Sequence, residues 1–279
     1  MGHPLRKYLY YILVFSLSCL IFLHATGPIQ QGFQDTPSVS FITYGNDNFK
    51  QSRERIVQEA KDFGPFTGVI KAYTPDDLSN EFKDATKDVL SGGRGGGFWI
   101  WKPYIIHDAM NKLNANDILV YADAGCRLNK SALPRFQEYL SMISAESGKS
   151  IFAMRLSGFP EYQWTTSQTF DYLRIPPESD IRTSAQIIAT VLIFRKTEKS
   201  VALVQEWLNV AIENPLLFSD TFNDEAKQNN PDFHDNRHDQ SIFSLLVKSE
   251  YSPHATIIEQ EIENSSATNV PILAHRMRV

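Results

Sequence analysis

The residues best suited to chemistry stand in three short stretches. The apolar run Asp117–Tyr121 leads straight into Ala122-Asp123-Ala124-Gly125. A carboxylate at the end of a buried strand, flanked by small residues, can hold a divalent cation or a ribose hydroxyl, because small neighbours let a metal or phosphate approach the backbone. The same aspartate equally suits a turn or the cap of the next helix. Upstream, Gly92-Gly93-Arg94-Gly95-Gly96-Gly97 has the composition of a phosphate cradle but lacks the Gly-Lys-Ser/Thr of a P-loop. It reads either as a cradle in which Arg94 closes over a diphosphate or as a flexible connector. Phe98-Trp99-Ile100-Trp101-Lys102-Pro103 follows, with two of the chain's 4 tryptophans. Core packing accounts for one of them; both together, with a lysine and a proline, describe a shaped wall on which a base or sugar stacks.

The third stretch, His234-Asp235-Asn236-Arg237-His238-Asp239-Gln240-Ser241, crowds polar side chains before an apolar helix. Asp239 and Gln240 fall in that helix's first turn, where a carboxylate gains from the helix dipole. Capping alone is the competing explanation, but a cap needs only one or two such residues. His234 and His238 have the spacing of a helical metal pair. A helix beginning near His238 leaves His234 in the loop, which argues against a di-histidine zinc site.

The elements that must position these groups alternate along the chain. Strands are expected at Val39–Tyr44, Gly68–Tyr73, Asp117–Tyr121, Ile151–Leu156 and Ala189–Phe194. Helices are expected at Phe49–Phe63, Asp76–Leu90, Phe98–Leu113, Ser131–Ser144, Thr197–Ile212 and His238–Lys248. This alternation describes an open α/β sheet with helices on both faces, whose ligands bind beyond the carboxyl ends of the strands.

Ahead of that body, Tyr8–Leu23 holds no charged residue, and Arg6 and Lys7 stand just before it. Such a run spans roughly 24–27 Å as a helix, enough for a thin bilayer core. The next basic residue is Lys50, so the asymmetry expects residues 1–7 inside, an anchor over 8–25, a stem over 26–37, and residues 38–279 outside. A cleaved signal peptide is the alternative, but Leu23 is bulky for the position before a cut at Ala25. The composition is that of an ordinary globular chain: of 279 residues 42% are hydrophobic and 21% charged, with a net charge of −5. The acidic balance speaks against a nucleic-acid partner. The 2 cysteines, Cys19 and Cys126, exclude a disulfide scaffold and a zinc site built on cysteine pairs.

Taken in order, GGGFWIWKPYII, DILVYADAGC, NRHDQSIFSLL and a terminal LAHRMR resemble a family of GT-A-type glycosyltransferases with members in bacteria, eukaryotes and large DNA viruses. The resemblance covers about residues 39–279, and the motifs are specific in combination rather than singly. It implies a nucleotide-sugar-dependent transferase with a GT-A-like, Rossmann-type open mixed sheet. In that family an Asp-x-Asp at a strand end binds Mn²⁺ or Mg²⁺, which grips the donor diphosphate; Asp123 matches the place. Ala124-Gly125 departs from the pattern, because no second aspartate follows. His275 matches the late histidine that completes the metal site. Arg94, Trp99, Trp101, Lys102, Asp123, Ala124 and Gly125 are thereby expected on the donor, and Asp239 and Gln240 at the transferred sugar.

Glycosyl transfer leaves negative charge on the departing diphosphate, which a cation with Arg94 or Lys102 would stabilise. Asp239 could serve as general base toward an acceptor hydroxyl or steady an oxocarbenium-like centre. A saccharide-binding homologue without turnover and a metal-dependent phosphoester hydrolase are the other readings of these residues. Nucleotide sugars are found in the Golgi and ER lumen, so an outward-facing transferase is expected there, acting on a glycan or glycoconjugate. Asn129-Lys130-Ser131 and Asn264-Ser265-Ser266 have the form of N-glycosylation acceptors.

Overall fold

Strand β1 (Val39–Tyr44) is buried along its whole length, as suits a run of β-branched and aromatic residues placed between two neighbours. The computed structural model, which describes residues 36–224, 228–263 and 267–274, pairs β1 in parallel with β2 (Ile70–Tyr73) and β3 (Ile118–Ala122). Two longer strands, β5 (Ile151–Pro160) and β6 (Ala185–Arg195), are antiparallel to each other, and β6 is also antiparallel to β3. An edge strand, β7 (Ala255–Glu259), runs parallel to β5. The sheet is therefore mixed and six-stranded, in the order β2-β1-β3-β6-β5-β7. Two short strands, β4 (Arg127–Leu128) and β8 (Ile272–Leu273), form a separate antiparallel pair.

Both faces of the sheet are covered, because side chains alternate along each central strand. Leu119 and Tyr121 of β3 join one core, while Ile118, Val120 and Ala122 join the other. Helices α1 (Lys50–Phe63) and α4 (Leu133–Ser141) supply Ile56, Phe63 and Phe136 to the second core. Helices α2 (Asn80–Leu90), α3 (Trp101–Asn111), α5 (Glu198–Glu213) and α6 (Asp239–Leu246) pack on the opposite face, with Trp207 and Phe243 at its centre. The open α/β sheet with helices on both faces is thus as expected. The described residues from Pro37 onward form one unit.

Several boundaries differ from expectation, and β7 is a strand the sequence reading does not include. The strand at Ala189–Phe194 begins earlier, at Ala185, and β5 runs on to Pro160 through register shifts. β7 carries no clean alternation, since three of its five residues are half-exposed at the sheet edge. The helix expected from Phe98 starts only at Trp101. The expected anchor over residues 8–25 lies outside the described residues; among those described, no helix is long and apolar enough to cross a membrane.

The late start of α3 has a local cause. Gly95, Gly96, Gly97, Phe98 and Trp99 all have positive φ, between 51° and 100°. They make a left-handed turn, closed by Phe98 N–H donating to the Arg94 carbonyl (2.6 Å) and Ile100 N–H to that of Gly97 (3.0 Å). Phe98 and Trp99 cost roughly 1–2 kcal/mol each in this conformation. Their rings offset that against His238, each 5.3 Å away centroid to centroid. Gly97 has no alternative, since a Cβ there would stand 2.7 Å from the Leu90 Cα. Gly97→Ala is expected to destabilise the fold by about 2–3 kcal/mol, read as a lower unfolding midpoint. An unchanged midpoint would mean that the turn is not held in this form.

Candidate active site

A cleft of about 800 Å³ opens at the carboxyl ends of β1 and β3, where ligands of open α/β sheets bind. Four separated stretches meet there. The end of β1 brings Tyr44 and Asn46, the end of β3 brings Asp123-Ala124-Gly125, and α3 and α6 bring their first turns. The strand-end loop is held from behind by Arg55 of α1, which donates to the carbonyls of Ala124 (2.9 Å) and Cys126 (2.8 Å).

At the floor of the cleft lies Lys102, whose side chain is only 3% exposed. Its ammonium is ion-paired with Asp239 Oδ2 at 2.5 Å and with Asp123 Oδ1 at 3.4 Å, and it donates to the Ala189 carbonyl at 3.1 Å. Burial works against its charge, but the two carboxylates outweigh it and raise its pKa. Asp239 is also buried, and burial pushes its carboxyl up to about 6; Lys102 opposes that rise and Asp123 adds to it. Asp123 is 31% exposed on the cleft side. Its Oδ1 accepts the Tyr121 hydroxyl, so among the described residues its carboxylate serves Tyr121 and Lys102 rather than a helix cap.

The two tryptophans, alike in sequence, are separated by the left-handed turn. Trp101 stacks on Tyr44 at 3.8 Å and 17°, and its Nε1 donates to the Gly95 carbonyl (2.9 Å). Trp99 leans on His238 instead, and both indoles line the cleft. Arg94 stands at the rim, ion-paired with Asp220 and Asp235 at 3.3 Å each, so the guanidinium expected to close over a diphosphate is held by the opposite loop. His238 (φ 57°) precedes α6 and bonds Asp220 through Nε2 (2.8 Å); burial lowers its pKa against that partner's pull. His234 packs on Trp164 away from this group. Tyr44, Tyr121, Gln186 and Asp220 escaped sequence reasoning: the tyrosines read as ordinary strand residues, and neither Gln186 nor Asp220 belongs to a motif.

Among the described residues no three His, Cys, Asp or Glu side chains converge. Mg²⁺ is usually held by one or two carboxylates together with waters and a substrate's phosphates, and the part-exposed Asp123 is the described carboxylate that would hold the expected Mn²⁺ or Mg²⁺ alongside a bound diphosphate. His275, the other expected ligand, lies outside the described residues, as does Asn264. Asn129 is described, and its amide nitrogen donates to the carbonyls of Thr268 (2.9 Å) and Val270 (3.1 Å).

No protein-family model and no curated protein sequence matches the chain. Among solved structures it is similar to a glycosyltransferase involved in the glycosylation of the major capsid of PBCV-1, at 9% identity over 80% of this chain and 82% of that one, TM-score 0.40. Mouse xyloside xylosyltransferase 1 in its apo form is 11% identical over 79% and 84%, TM-score 0.43. The galactosyltransferase LgtC, in complex with donor and acceptor sugar analogs, is 12% identical over 78% and 72%, TM-score 0.37. At these identities and scores the likenesses bear on no residue of the cleft.

Proposed function

We propose that this chain is a nucleotide-sugar-dependent glycosyltransferase of the GT-A type, with the cleft as its donor site. The observation that carries the reading is Lys102, buried between Asp123 and Asp239 with Gln240 alongside, at the carboxyl ends of two parallel strands. Around it the stacked Tyr44–Trp101 pair offers a flat wall for a base, and Ala124-Gly125 leaves room for a diphosphate. In the transfer step an acceptor hydroxyl oxygen bonds to the sugar's anomeric carbon. The bond from that carbon to the diphosphate breaks, and its electron pair leaves with the phosphate. Lys102 supplies the nearest buried positive charge to the departing group. Asp239, with a pKa brought toward neutrality, takes the hydroxyl proton, as a general base should near its own pKa.

The test is release of nucleoside diphosphate from a panel of UDP- and GDP-sugars by the purified full chain, with Mn²⁺, with Mg²⁺ and with chelator. Turnover of at least one donor is expected. Neither turnover nor nucleotide binding across the panel would sink the reading, and binding without turnover would replace it with a saccharide-binding homologue. Asp123→Ala is expected to lower turnover about 10²-fold while the chain stays folded at a cost of about 1–3 kcal/mol, because the buried Tyr121 hydroxyl loses its acceptor but Lys102 keeps Asp239. Unfolding of that variant would make Asp123 a structural residue instead.

In this reading the enzyme is a type II membrane protein of the Golgi or ER with its cleft in the lumen. Protease protection of residues 38–279 in sealed microsomes is the expected result, and digestion without detergent would overturn that placement.

A further inference from the structure

Gln240 reaches the cleft with both ends of its amide already assigned. Its Oε1 accepts the Ala189 N–H (3.2 Å), and its Nε2 donates to Gln186 Oε1 (2.6 Å). Gln186 is buried in β6 and gives its own Nε2 to Glu161 Oε2 (3.1 Å). The Trp164 carbonyl, Thr165 Oγ1 and Ser241 Oγ surround the same nitrogen at 3.2–3.4 Å. Glu161, fully buried beyond β6, takes the Lys248 ammonium (2.7 Å), the Thr165 hydroxyl (2.8 Å) and the Ser244 hydroxyl.

The polarity of this chain of contacts is forced from both ends. An ion-paired carboxylate only accepts, so Gln186 must face Glu161 with its nitrogen and turn its oxygen to Gln240. At the other end a backbone N–H only donates, so Gln240 must meet Ala189 with its oxygen. Both amides are thus oriented by the network rather than by the similar shapes of their oxygen and nitrogen ends. One hydrogen of the Gln240 nitrogen is used by Gln186, and the second is left for the cleft. We propose that Glu161, through Gln186, is a positioning residue that makes Gln240 a hydrogen-bond donor toward an acceptor oxygen of the bound sugar or diphosphate. The proposal rests on the transferase reading for the identity of that ligand, but not for the relay itself.

Reversing the relay tests it. In Glu161→Gln the new amide keeps its oxygen toward Lys248 and Ser244 and turns a nitrogen to Gln186. Gln186 must then flip, and two donors collide at Gln240 or at Ala189. Donor turnover is expected to fall about tenfold in kcat, with nucleotide Kd within about twofold and the unfolding midpoint lowered by about 3 °C or more. Gln186→Met breaks the same relay without a new donor and should show the same split between kcat and Kd. Wild-type kcat in Gln186→Met would overturn the proposal, even if Glu161→Gln fails to fold. The double variant Glu161→Gln/Gln240→Glu satisfies the contacts that run from residue 161 through Gln186 to residue 240 and Ala189 with reversed polarity but removes the cleft-facing N–H. Its midpoint is expected above the value obtained by adding the two single shifts, while its turnover stays no higher than that of Gln240→Glu. Additive midpoints would refute the relay, and recovered turnover would refute the donor assignment. Should wild type turn over no donor at all, the transferase reading fails, and the midpoints still decide the relay.

Discussion

Replacing Lys102 by methionine is expected to lower donor turnover by about 10³-fold and to cost about 3–5 kcal/mol of stability. The second figure follows from what the variant leaves behind. Asp239, buried, and Asp123 would face each other without the ammonium between them, and breaking a buried pair typically costs that much. The methionine fills the stem's volume, so the loss reports charge and hydrogen bonds rather than a cavity. Without Lys102 the Asp239 carboxyl should climb further above its present value of about 6, keeping its proton at neutral pH and losing its use as a base. Lys102→Arg restores the charge but is not expected to restore activity, because a planar fork does not fit a point-charge site closed on three sides. Steady-state kinetics, nucleotide titration and thermal unfolding would check this. Wild-type kcat in the methionine variant would remove Lys102 from the chemistry.

The second large effect is expected at Asp239→Asn, which keeps the shape and removes the proton acceptor. Turnover should fall about 10²–10⁴-fold, the usual worth of a positioned acid or base, with nucleotide binding less affected. Equal losses in both would take Asp239 away from the acceptor side. The pH dependence gives a separate readout. Burial raises this carboxyl from 3.8 to about 6, so between those values the native state holds a proton that the unfolded chain has released. The stabilising contribution is therefore complete below about pH 4 and lost as pH rises through about 6. Wild-type stability should show this fall, and Asp239→Asn should flatten it. Wild-type kcat should rise with pH through a midpoint near 6, a limb missing from the variant's residual activity. The same limb in the variant would assign the titration to another group.

Much of the frame was legible in the sequence because it is written locally. Val39–Tyr44 and Asp117–Tyr121 are runs that suit a strand buried on both faces, and β1 and β3 are those strands. Helix α5, expected from Thr197, opens there with the Thr197 hydroxyl accepting the Ser200 N–H as an N-cap. The chemistry-bearing stretches were also visible one at a time, since Asp123 ends an apolar run and Asp239-Gln240 opens a helix. Less was legible at Gly95–Trp99, where a glycine run could be a cradle, a hinge or a linker. Its left-handed turn is held by Leu90, Arg94 and His238, and sends Trp99 and Trp101 to different partners.

What no local pattern contains is which charge meets which. Residue types and spacing in this chain establish five of the six strands of the main sheet, the presence of helices α1 to α6 and the three polar stretches, because periodicity, caps and turns depend on neighbours within a few positions. Only the folded sheet decides that Lys102 lies between Asp123 and Asp239, that Arg94 is held by Asp220 and Asp235, and that Glu161 reaches Gln240 through Gln186. Those pairings depend on the order β2-β1-β3-β6-β5-β7, which brings residues distant in sequence to hydrogen-bonding distance. Burial at that meeting point then raises the pKa of Asp239, a change that no residue carries in its own type.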